Sequence, residues 1–289
     1  MTGKAQYVGL IAVAALCSSL CMASAKNRLF ASPMGKEEWT MSGNRLRCGL
    51  SLGIPAYGVA YFEQYATREP HFILHKYQQV ERRLPATVTA RPPVWKPGQS
   101  SWFIAKTHVK PGKYGLFLER EPALKALNYL ANGLQTVFNY RSEQGFGVDV
   151  VISPIRFQDV YRKYQRCVGN LLPFNYDDVK ESIFYFAVDD AEINPNDKAQ
   201  LNRIALYSRV DRSLKEIRIS GYTDDLGRKS YNNAVSELRA KSVERYLKSQ
   251  RVRQRLLSVT WYGVKHPADS NATEAGRAAN RRVVVELIR

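Results

Sequence analysis

The chain is poor in the residues that build metal and redox centres, with only four cysteines and four histidines among 289 residues. His71 and His75 stand four apart in a segment predicted to be extended, where they would be separated by about 13 Å. No cysteine cluster accompanies them, so the sequence argues against a zinc site. The acidic group Asp189, Asp190 and Glu192 lacks the regular alternation of a calcium loop and is interpreted as a solvated loop. We therefore predict no metal and no cofactor.

Signatures of nucleotide-binding and acyl-transfer enzymes are also missing. The run Gly145-Phe-Gly147 lacks the third glycine and the strand-to-helix setting of a dinucleotide-binding loop. The sequence contains no Walker motif and no nucleophile elbow, and it offers no evident pair of catalytic carboxylates. The expectation is a binding or structural protein, not an enzyme.

Long apolar runs are absent as well, since none approaches the roughly 20 residues needed to span a bilayer. The chain instead begins with a charge at Lys4, an apolar stretch over residues 8–16 and the small residues Ala23-Ser-Ala25. This is the pattern of a cleaved secretion signal, so residues 1–25 are predicted to be a signal peptide and the mature protein periplasmic. An uncleaved anchor is the alternative. Lipid attachment is disfavoured because a leucine precedes each nearby cysteine.

Removal of the signal segment leaves Cys48 and Cys167 as an even pair in a compartment that oxidises thiols. A disulfide is the natural interpretation, and it would close a loop of 167 − 48 = 119 residues. Such a bond would stabilise the fold by about 4 to 5 kcal/mol through the unfolded-chain entropy. Two separate buried thiols are the alternative, because free cysteine packs like a small hydrophobic side chain.

Acidic residues are in deficit, with 26 Asp and Glu against 43 Lys and Arg, for a net charge of +17. Loss of Lys4 leaves 17 − 1 = +16. Residues 26–169 carry 21 − 10 = +11 and residues 170–289 carry 21 − 16 = +5. Such a balance would suggest nucleic acid in a cytosolic protein, but export excludes that partner. Anionic wall polymer, lipid head groups or acidic proteins are favoured, and a merely solubilising surface is the alternative.

Length and pattern predict two domains with a seam near residues 168–174. Residues 26–170 show short β-rich runs broken by glycine and proline, which indicates a mainly β domain. Two helices are predicted inside it, over Pro122–Leu134 and Phe157–Cys167.

Residues 171–289 alternate strands with helices at longer spacing. The predicted elements are strand Glu181–Val188, a helix containing Leu201 to Ser208, strand Glu216–Ser220, helix Lys229–Ser249, strand Leu256–Tyr262 and strand Arg282–Ile288. The fold class is therefore α+β: a mainly β domain followed by an α/β domain of βαβαββ type, with its helices on one face of a sheet.

An acid and a base lie at the same end of one predicted strand-loop-helix unit. Asp224 stands in the turn Gly221–Gly227, and Arg239 lies on the helix that follows. A carboxylate suits a ligand ammonium and a planar guanidinium suits a ligand carboxylate, so the two could bracket a zwitterion. The structural alternative is that Asp224 caps its own turn while Arg239 pairs with a helix neighbour such as Glu237 or Glu244.

The chain from about residue 178 to its end resembles the OmpA-like family of peptidoglycan-binding domains. The motifs that carry the resemblance are Gly221-Tyr-Thr-Asp224, Gly227, Asn232, Ser236-Glu-Leu-Arg-Ala240, Trp261-Tyr-Gly263 and Asn271 to Val283. The resemblance implies that Asp224 and Arg239 grip the diaminopimelate of the peptidoglycan stem peptide, with backbone amides near Asn232 assisting. It further implies that Thr223, Asn280 and Arg282 complete or support the pocket.

The mature chain as a whole resembles the MotY family of flagellar-motor proteins. The motifs are Ala31-Ser-Pro33, Trp39, Cys48, Ile54-Pro55 with Gly58, Pro92 to Gly98, and Cys167 with Leu171 to Phe174. The resemblance implies a Cys48–Cys167 disulfide and a first domain that joins the basal-body ring and a MotX-like partner in the periplasmic T ring, which helps to install the stator complex. A general envelope tether, with the β domain bound to another complex, is the alternative.

Overall fold

A computed structural model of the chain describes residues 27–96, 100–112 and 114–289. The predicted signal segment, residues 1–25, lies outside the described residues. In the described part of the chain, no helix combines the length and the apolar character needed to cross a bilayer.

The N-terminal part is a two-sheet β domain with two helices. Its elements are β1 (Arg28–Phe30), β2 (Trp39–Gly43), β3 (Arg47–Ile54), β4 (Gly58–Tyr65), β5 (His71–Lys76), β6 (Leu84–Arg91), β7 (Trp102–Val109), β8 (Leu116–Leu118), α1 (Arg120–Ala131), β9 (Gln135–Arg141), β10 (Gly147–Ile152) and α2 (Phe157–Gly169). One sheet has the order β2-β3-β4-β5-β8 and the other β1-β10-β9-β6-β7. All pairings are antiparallel except that of β1 with β10.

Strict alternation along the strands builds the core of this domain. In β6, Leu84, Ala86, Val88 and Ala90 are buried while the residues between them point away. The apolar stripe of α1 joins the same core. The mainly β prediction is thus confirmed, because a period of two places every second side chain on one face.

Helix α1 is displaced from its predicted bounds. It starts two residues earlier, since Pro122 can occupy a first turn whose amides have no helical acceptor. It ends at Ala131, where the amide of Leu134 donates to the carbonyl of Tyr129 at 2.9 Å and turns the chain into β9.

A disulfide joins β3 to α2. Cys48 and Cys167 are bonded, with their Cα atoms 6.0 Å apart. Helix α2 packs on β2 and β3, where the Trp39 and Phe157 rings meet at 4.8 Å. The predicted disulfide is confirmed, and both of its cysteines belong to the N-terminal domain.

The C-terminal part is an α/β domain with one mixed sheet. Its elements are β11 (Glu181–Tyr185), α3 (Pro195–Val210), β12 (Glu216–Gly221), α4 (Lys229–Ser249), a 3-10 turn at Gln254–Leu256, β13 (Leu257–Trp261), α5 (Glu274–Asn280) and β14 (Arg282–Ile288). The strand order is β11-β14-β12-β13, with only β12 and β13 parallel. The βαβαββ order is confirmed, with α5 as an additional short helix before the last strand.

The two faces of this sheet differ. Ile217, Ile219 and Val285 are buried in the same core as residues of α3 and α4, so the helices cover one face as predicted. On the other face Ile183 and Tyr185 are exposed. The predicted strand Glu181–Val188 ends at Tyr185, because the residues after it turn away to meet α4.

Direct contacts join the two domains. The backbone amide of Leu172 donates to the carbonyl of Arg45 at 2.8 Å, and the side-chain Nδ2 of Asn175 donates to the Thr67 hydroxyl at 2.6 Å. Ala66, from the loop after β4, is buried in the hydrophobic cluster of the C-terminal domain. The junction therefore excludes water over part of its area.

Candidate functional site

The site lies where β12 ends and α4 packs across it. Strand β12 closes on Gly221, where an added Cβ would lie 2.2 Å from the carbonyl oxygen of Ser236 on α4. Only glycine allows this close approach of helix and strand. The next residues, Tyr222 to Asp224, are held at the strand end by a hydrogen bond from the amide of Thr223 to the carbonyl of Gly263 at 2.9 Å.

Asp224 is buried, with 6% of its surface exposed. Its Oδ1 accepts from the amide of Leu226 at 3.3 Å, so the residue does cap its own turn. Its Oδ2 accepts from Arg281 Nη1 at 2.9 Å. The ion-pair partner of Asp224 is therefore Arg281, a residue that we did not select from the sequence.

Arg281 links three parts of the site. Besides Asp224, its guanidinium donates to Glu274 Oε1 at 2.9 Å and to the carbonyl of Phe186 at 3.3 Å. Burial lowers the pKa of Arg281, but the two carboxylate partners outweigh this and raise it above its ordinary value. The signal in the sequence was the adjacent pair Arg281-Arg282, of which only the second was selected.

Arg239 is almost fully buried, with 1% of its surface exposed. Its Nη2 and Nε donate to the carbonyls of Ala187 and Asp190, both at 2.8 Å, and its Nη1 lies 3.4 Å from the carbonyl of Tyr222. The guanidinium thus ties the loop after β11 to the end of β12. Burial lowers the pKa of Arg239, while Asp224 favours its charged form.

The alternative that Arg239 pairs with a glutamate on its own helix is wrong. Glu244 pairs with Lys248 at 2.6 Å and Glu237 with Lys241 at 2.5 Å, both four residues along the helix. Arg239 faces inward instead, and backbone carbonyls take the place of a carboxylate partner.

Thr223 and Asn232 are the other buried polar groups around the turn. Thr223 is 4% exposed, and its hydroxyl has no hydrogen-bond partner among the described residues. Asn232 is 3% exposed in the first turn of α4, where its amide donates to the carbonyl of Arg228 at 3.0 Å. An unpartnered buried hydroxyl is costly, and a ligand could satisfy it.

Asn280 supports the site from outside it. Its Oδ1 accepts from the amides of Ala268 and Asp269 at 2.6 and 3.1 Å. Its Nδ2 donates to the Asp269 carbonyl and to Asn271 Oδ1, both at 2.8 Å. These four bonds use the side-chain amide fully, so Asn280 holds the loop before α5 in place.

Arg282 lies on the opposite face of the sheet from the core. Its neighbour Val283 is buried in the core, whereas the Arg282 guanidinium stacks over the Tyr222 ring at 4.0 Å and donates to the carbonyl of His266 at 3.0 Å. Its Nη1 is buried without a partner among the described residues. Because side chains alternate along a strand, Arg282 is separated from the buried pair of Asp224 and Arg281.

The acidic group Asp189, Asp190 and Glu192 is exposed, as expected of a solvated loop, and its first two residues also contact the site. The Tyr231 hydroxyl on α4 donates to Asp189 Oδ1 at 2.9 Å, and the Asp190 carbonyl binds Arg239. Asp189 has a left-handed backbone, with φ of 54°. Its carboxylate and that of Asp190 favour the charged form of Arg239.

Taken together, the turn after β12 presents a carboxylate, a free hydroxyl and a buried guanidinium within one strand-loop-helix unit. Such a set suits a ligand with both an ammonium and a carboxylate. Within the described ranges, no group of three or more histidine, cysteine or acidic side chains could hold a metal ion.

Two family models match the chain in succession. The model of the MotY N-terminal domain matches residues 30–173. The model of the OmpA family matches residues 185–281, which include the carboxylate, the guanidinium groups and the unpartnered hydroxyl of the site.

Individual relatives match either most of the chain or about a third of it. The sodium-type flagellar protein MotY of Vibrio parahaemolyticus is 28% identical over 90% of this chain and 90% of its own length. The peptidoglycan-associated lipoprotein of Pseudomonas aeruginosa is 35% identical over 35% of this chain, which spans 58% of that relative. A crystal structure of the peptidoglycan-associated lipoprotein from Burkholderia pseudomallei is 28% identical, with a TM-score of 0.36, and covers 37% of this chain and 89% of its own.

Proposed function

Because the chain belongs to the MotY-like flagellar proteins and carries an OmpA-like domain, we propose that it is a periplasmic component of the flagellar motor that grips peptidoglycan. Its role is mechanical and non-catalytic. The observation that carries the wall-binding part is the buried Asp224–Arg281 pair beside the unpartnered Thr223 hydroxyl.

In this proposal Asp224 receives the ammonium of the diaminopimelate side chain. The carboxylate is already held in place by Arg281 and by the amide of Leu226, so little side-chain entropy is lost when the ligand arrives. The Thr223 hydroxyl gains a partner at the same step. The electrostatic attraction between these buried groups is stronger than it would be at the surface, since the ion pair is shielded from water.

In this proposal Arg239 acts by holding the backbone carbonyls of the loops around the ligand. Its guanidinium fixes the carbonyls of Ala187, Asp190 and Tyr222, which sets the shape of the loop facing the ligand. Its positive charge also favours the ligand carboxylate. Amides at the start of α4, near Asn232, add the positive end of the helix dipole.

The N-terminal domain supplies the assembly surface. We propose that it associates with the basal-body ring and a MotX-like partner in the T ring, and that the assembled ring helps to recruit and anchor stator units. The support is the similarity to the Vibrio relative, which extends over both domains, together with the charge of +11 on residues 26–169. A general envelope tether would explain the OmpA-like domain but not the match over residues 30–173.

Wall binding is tested by sedimenting the protein with purified sacculi. Asp224→Asn keeps the size of the side chain and removes its charge, and we expect at least a tenfold loss of bound protein, equivalent to about 1.4 kcal/mol. The matched control is Asp225→Asn, which removes the charge of the exposed neighbour and should bind normally. Melting curves of both variants separate loss of binding from loss of folding. Undiminished binding by Asp224→Asn would reject the pocket.

The motor role is tested by deleting the gene. Cells that still assemble filaments but do not rotate them would support the proposal, and normal swimming would refute it. Complementation with Asp224→Asn asks whether rotation requires the wall-binding site.

A further inference from the structure

A small, partly open cavity lies in the N-terminal domain, away from the wall-binding site. The turn between β3 and β4, the segment after β5, the β9–β10 hairpin and strand β1 surround it. Its volume is about 100 Å³. The charged and hydroxyl-bearing side chains of its lining are Arg28, Tyr57, Lys76, Tyr140, Ser142 and Glu143.

Some hydroxyl groups of the cavity have no hydrogen-bond acceptor among the described residues. The Tyr140 and Tyr57 hydroxyls lie 3.3 Å apart, and the one hydrogen bond between them leaves one of the two phenol protons unused. Burial raises the pKa of both phenols, so both remain protonated. The buried Ser142 hydroxyl has no partner among the described residues. The arrangement therefore offers at least two unused O–H donors.

Among the described residues, neither cation of the cavity contacts a carboxylate directly, although the charge of Glu143 acts on Lys76. Lys76 lies 5.8 Å from the Tyr140 ring centre and Arg28 lies 4.1 Å from that of Phe146. In the described part of the chain, neither forms an ion pair within 4.0 Å. Burial lowers the pKa of Lys76, and the charge of Glu143 offsets this effect only in part.

The one carboxylate in the lining is already engaged. Glu143 Oε1 accepts from the amides of Glu81 and Arg82 at 2.9 and 3.0 Å, which holds the segment after β5 against the β9–β10 hairpin. With two cations and one anion, the lining carries 2 − 1 = +1. The cavity thus combines excess positive charge with spare donors, which is the complement of an anion.

We propose that this cavity binds a carboxylate presented by a partner protein, as the anchoring contact of a protein interface. Pockets for whole small molecules measure about 300 to 1,000 Å³, so the cavity here has room for a single side chain or a chain terminus. Lys76, the Tyr57–Tyr140 pair and Ser142 all line the cavity and would donate to the carboxylate, and charge-assisted hydrogen bonds of this kind are strong. Buried anchors of this type dominate the energy of interfaces.

The proposal is tested by titrating the full exported chain, labelled with ¹⁵N, in NMR. The probes are N-acetylglutamate amide for a side chain and N-acetylalanine for a chain terminus, each compared with its uncharged amide analogue. We expect saturable shifts at the amides of Lys76 and Ser142 with one or both carboxylates and none with the amides. Equal shifts with charged and uncharged probes, no saturable shifts, or saturation by inorganic phosphate alone would overturn it.

Variants locate the binding. Lys76→Met keeps the length of the side chain and should weaken carboxylate binding about tenfold, the loss of one charge-assisted hydrogen bond. The control, Lys110→Met, removes an exposed lysine and should leave binding unchanged. Tyr57→Phe and Ser142→Ala remove one donor each. If a variant fails to fold, the comparison of charged and uncharged probes on the unaltered protein still decides the question.

Discussion

At the scale of single residues, the site depends on how buried charges are paired. Asp224 and Arg239 are close in sequence and near in space, but each is bound to something else: Asp224 to Arg281, and Arg239 to three carbonyls. A buried ion that loses its partner is strongly destabilising, whereas an exposed one is not. Substitutions of Asp224 and of Arg239 should therefore differ in how much they reduce stability and how much they reduce binding.

Arg239→Lys should destabilise the C-terminal domain. One ammonium cannot reach the carbonyls of Ala187, Asp190 and Tyr222 together, so at least one is left unsatisfied, at a cost of about 1.5 to 3 kcal/mol. Urea unfolding measures the change. Arg245→Lys, an exposed substitution on the same helix, is the control and should change the free energy of unfolding by less than about 0.5 kcal/mol. Equal stability of the two variants would show that the carbonyl contacts contribute little.

Thr223→Val should separate stability from binding. Its hydroxyl has no partner among the described residues, so a methyl group of similar size should leave the free energy of unfolding unchanged or raise it by about 1 kcal/mol. If the ligand uses that hydroxyl, binding to sacculi falls at the same time. A variant that is less stable and binds normally would contradict both parts.

At the scale of elements, two local arrangements determine how strands and helices are joined. The first is the contact between the β2–β3 hairpin and α2 at the disulfide. An added Cβ on Gly43 would lie 2.7 Å from the Arg47 carbonyl and 2.8 Å from Cys167 Sγ. Glycine is needed here because the helix sulfur occupies the space of a side chain.

Gly43→Ala should therefore destabilise the N-terminal domain by about 1 to 3 kcal/mol, the usual cost of overpacking. Thermal unfolding without reductant measures it, and a thiol assay reports whether the disulfide still closes. Gly53→Ala in β3 is the matched control, because nothing lies within 4 Å of its added Cβ. An unchanged melting temperature for Gly43→Ala would mean that the helix shifts without cost.

In the second arrangement, Asp211 joins the end of α3 to the residue that follows β14. Its Oδ1 accepts from the amide and hydroxyl of Ser213 at 2.9 and 2.6 Å, and its Oδ2 from the Tyr207 hydroxyl and Arg289 Nε at 2.9 and 3.0 Å. Burial alone would raise the pKa of Asp211, but these partners outweigh it and lower the pKa below its ordinary 3.8.

Asp211→Asn should cost about 1 to 3 kcal/mol at pH 7. A carboxyl with a lowered folded-state pKa contributes its full stability above the unfolded pKa and loses it as pH falls through the folded value. The difference between variant and wild type should hence be constant above about pH 5 and shrink below pH 3.8. Unfolding curves across this range measure it, and a gap that persists in acid would assign the effect to packing.

At the scale of the whole molecule, the junction between domains decides whether the chain responds to load as one body. Ala66 is buried among C-terminal residues, and the Leu172 and Asn175 hydrogen bonds lie beside it. A force applied at the proposed wall-binding site would pass to the N-terminal domain through this junction.

Ala66→Asp should uncouple the domains, because a buried carboxylate without a partner costs several kcal/mol. We expect one calorimetric transition for the wild type and two for the variant, with the disulfide-closed N-terminal domain melting separately. Ala272→Asp adds the same charge at an exposed position and should keep one transition. A single transition in Ala66→Asp would show that the junction contributes little to cooperativity.

Sequence reasoning was most successful where structure is local. Helical spacing in α4 follows from which side chains share a face, and the helix spans Lys229–Ser249 as predicted. Helix ends were less well predicted, as α1 shows, since caps and turns depend on a few hydrogen bonds. The short helix α5 has too few residues for its periodicity to stand out.

The sequence by itself determined the α+β class, the pairing of Cys48 with Cys167 and the motifs around the turn after β12, because each depends on residue type and spacing along the chain. Only the tertiary structure decided that Arg281 pairs with Asp224, that Arg239 binds carbonyls and that Arg282 faces away. Those contacts join segments far apart in the chain, and burial makes the choice of partner a matter of geometry that spacing alone does not contain.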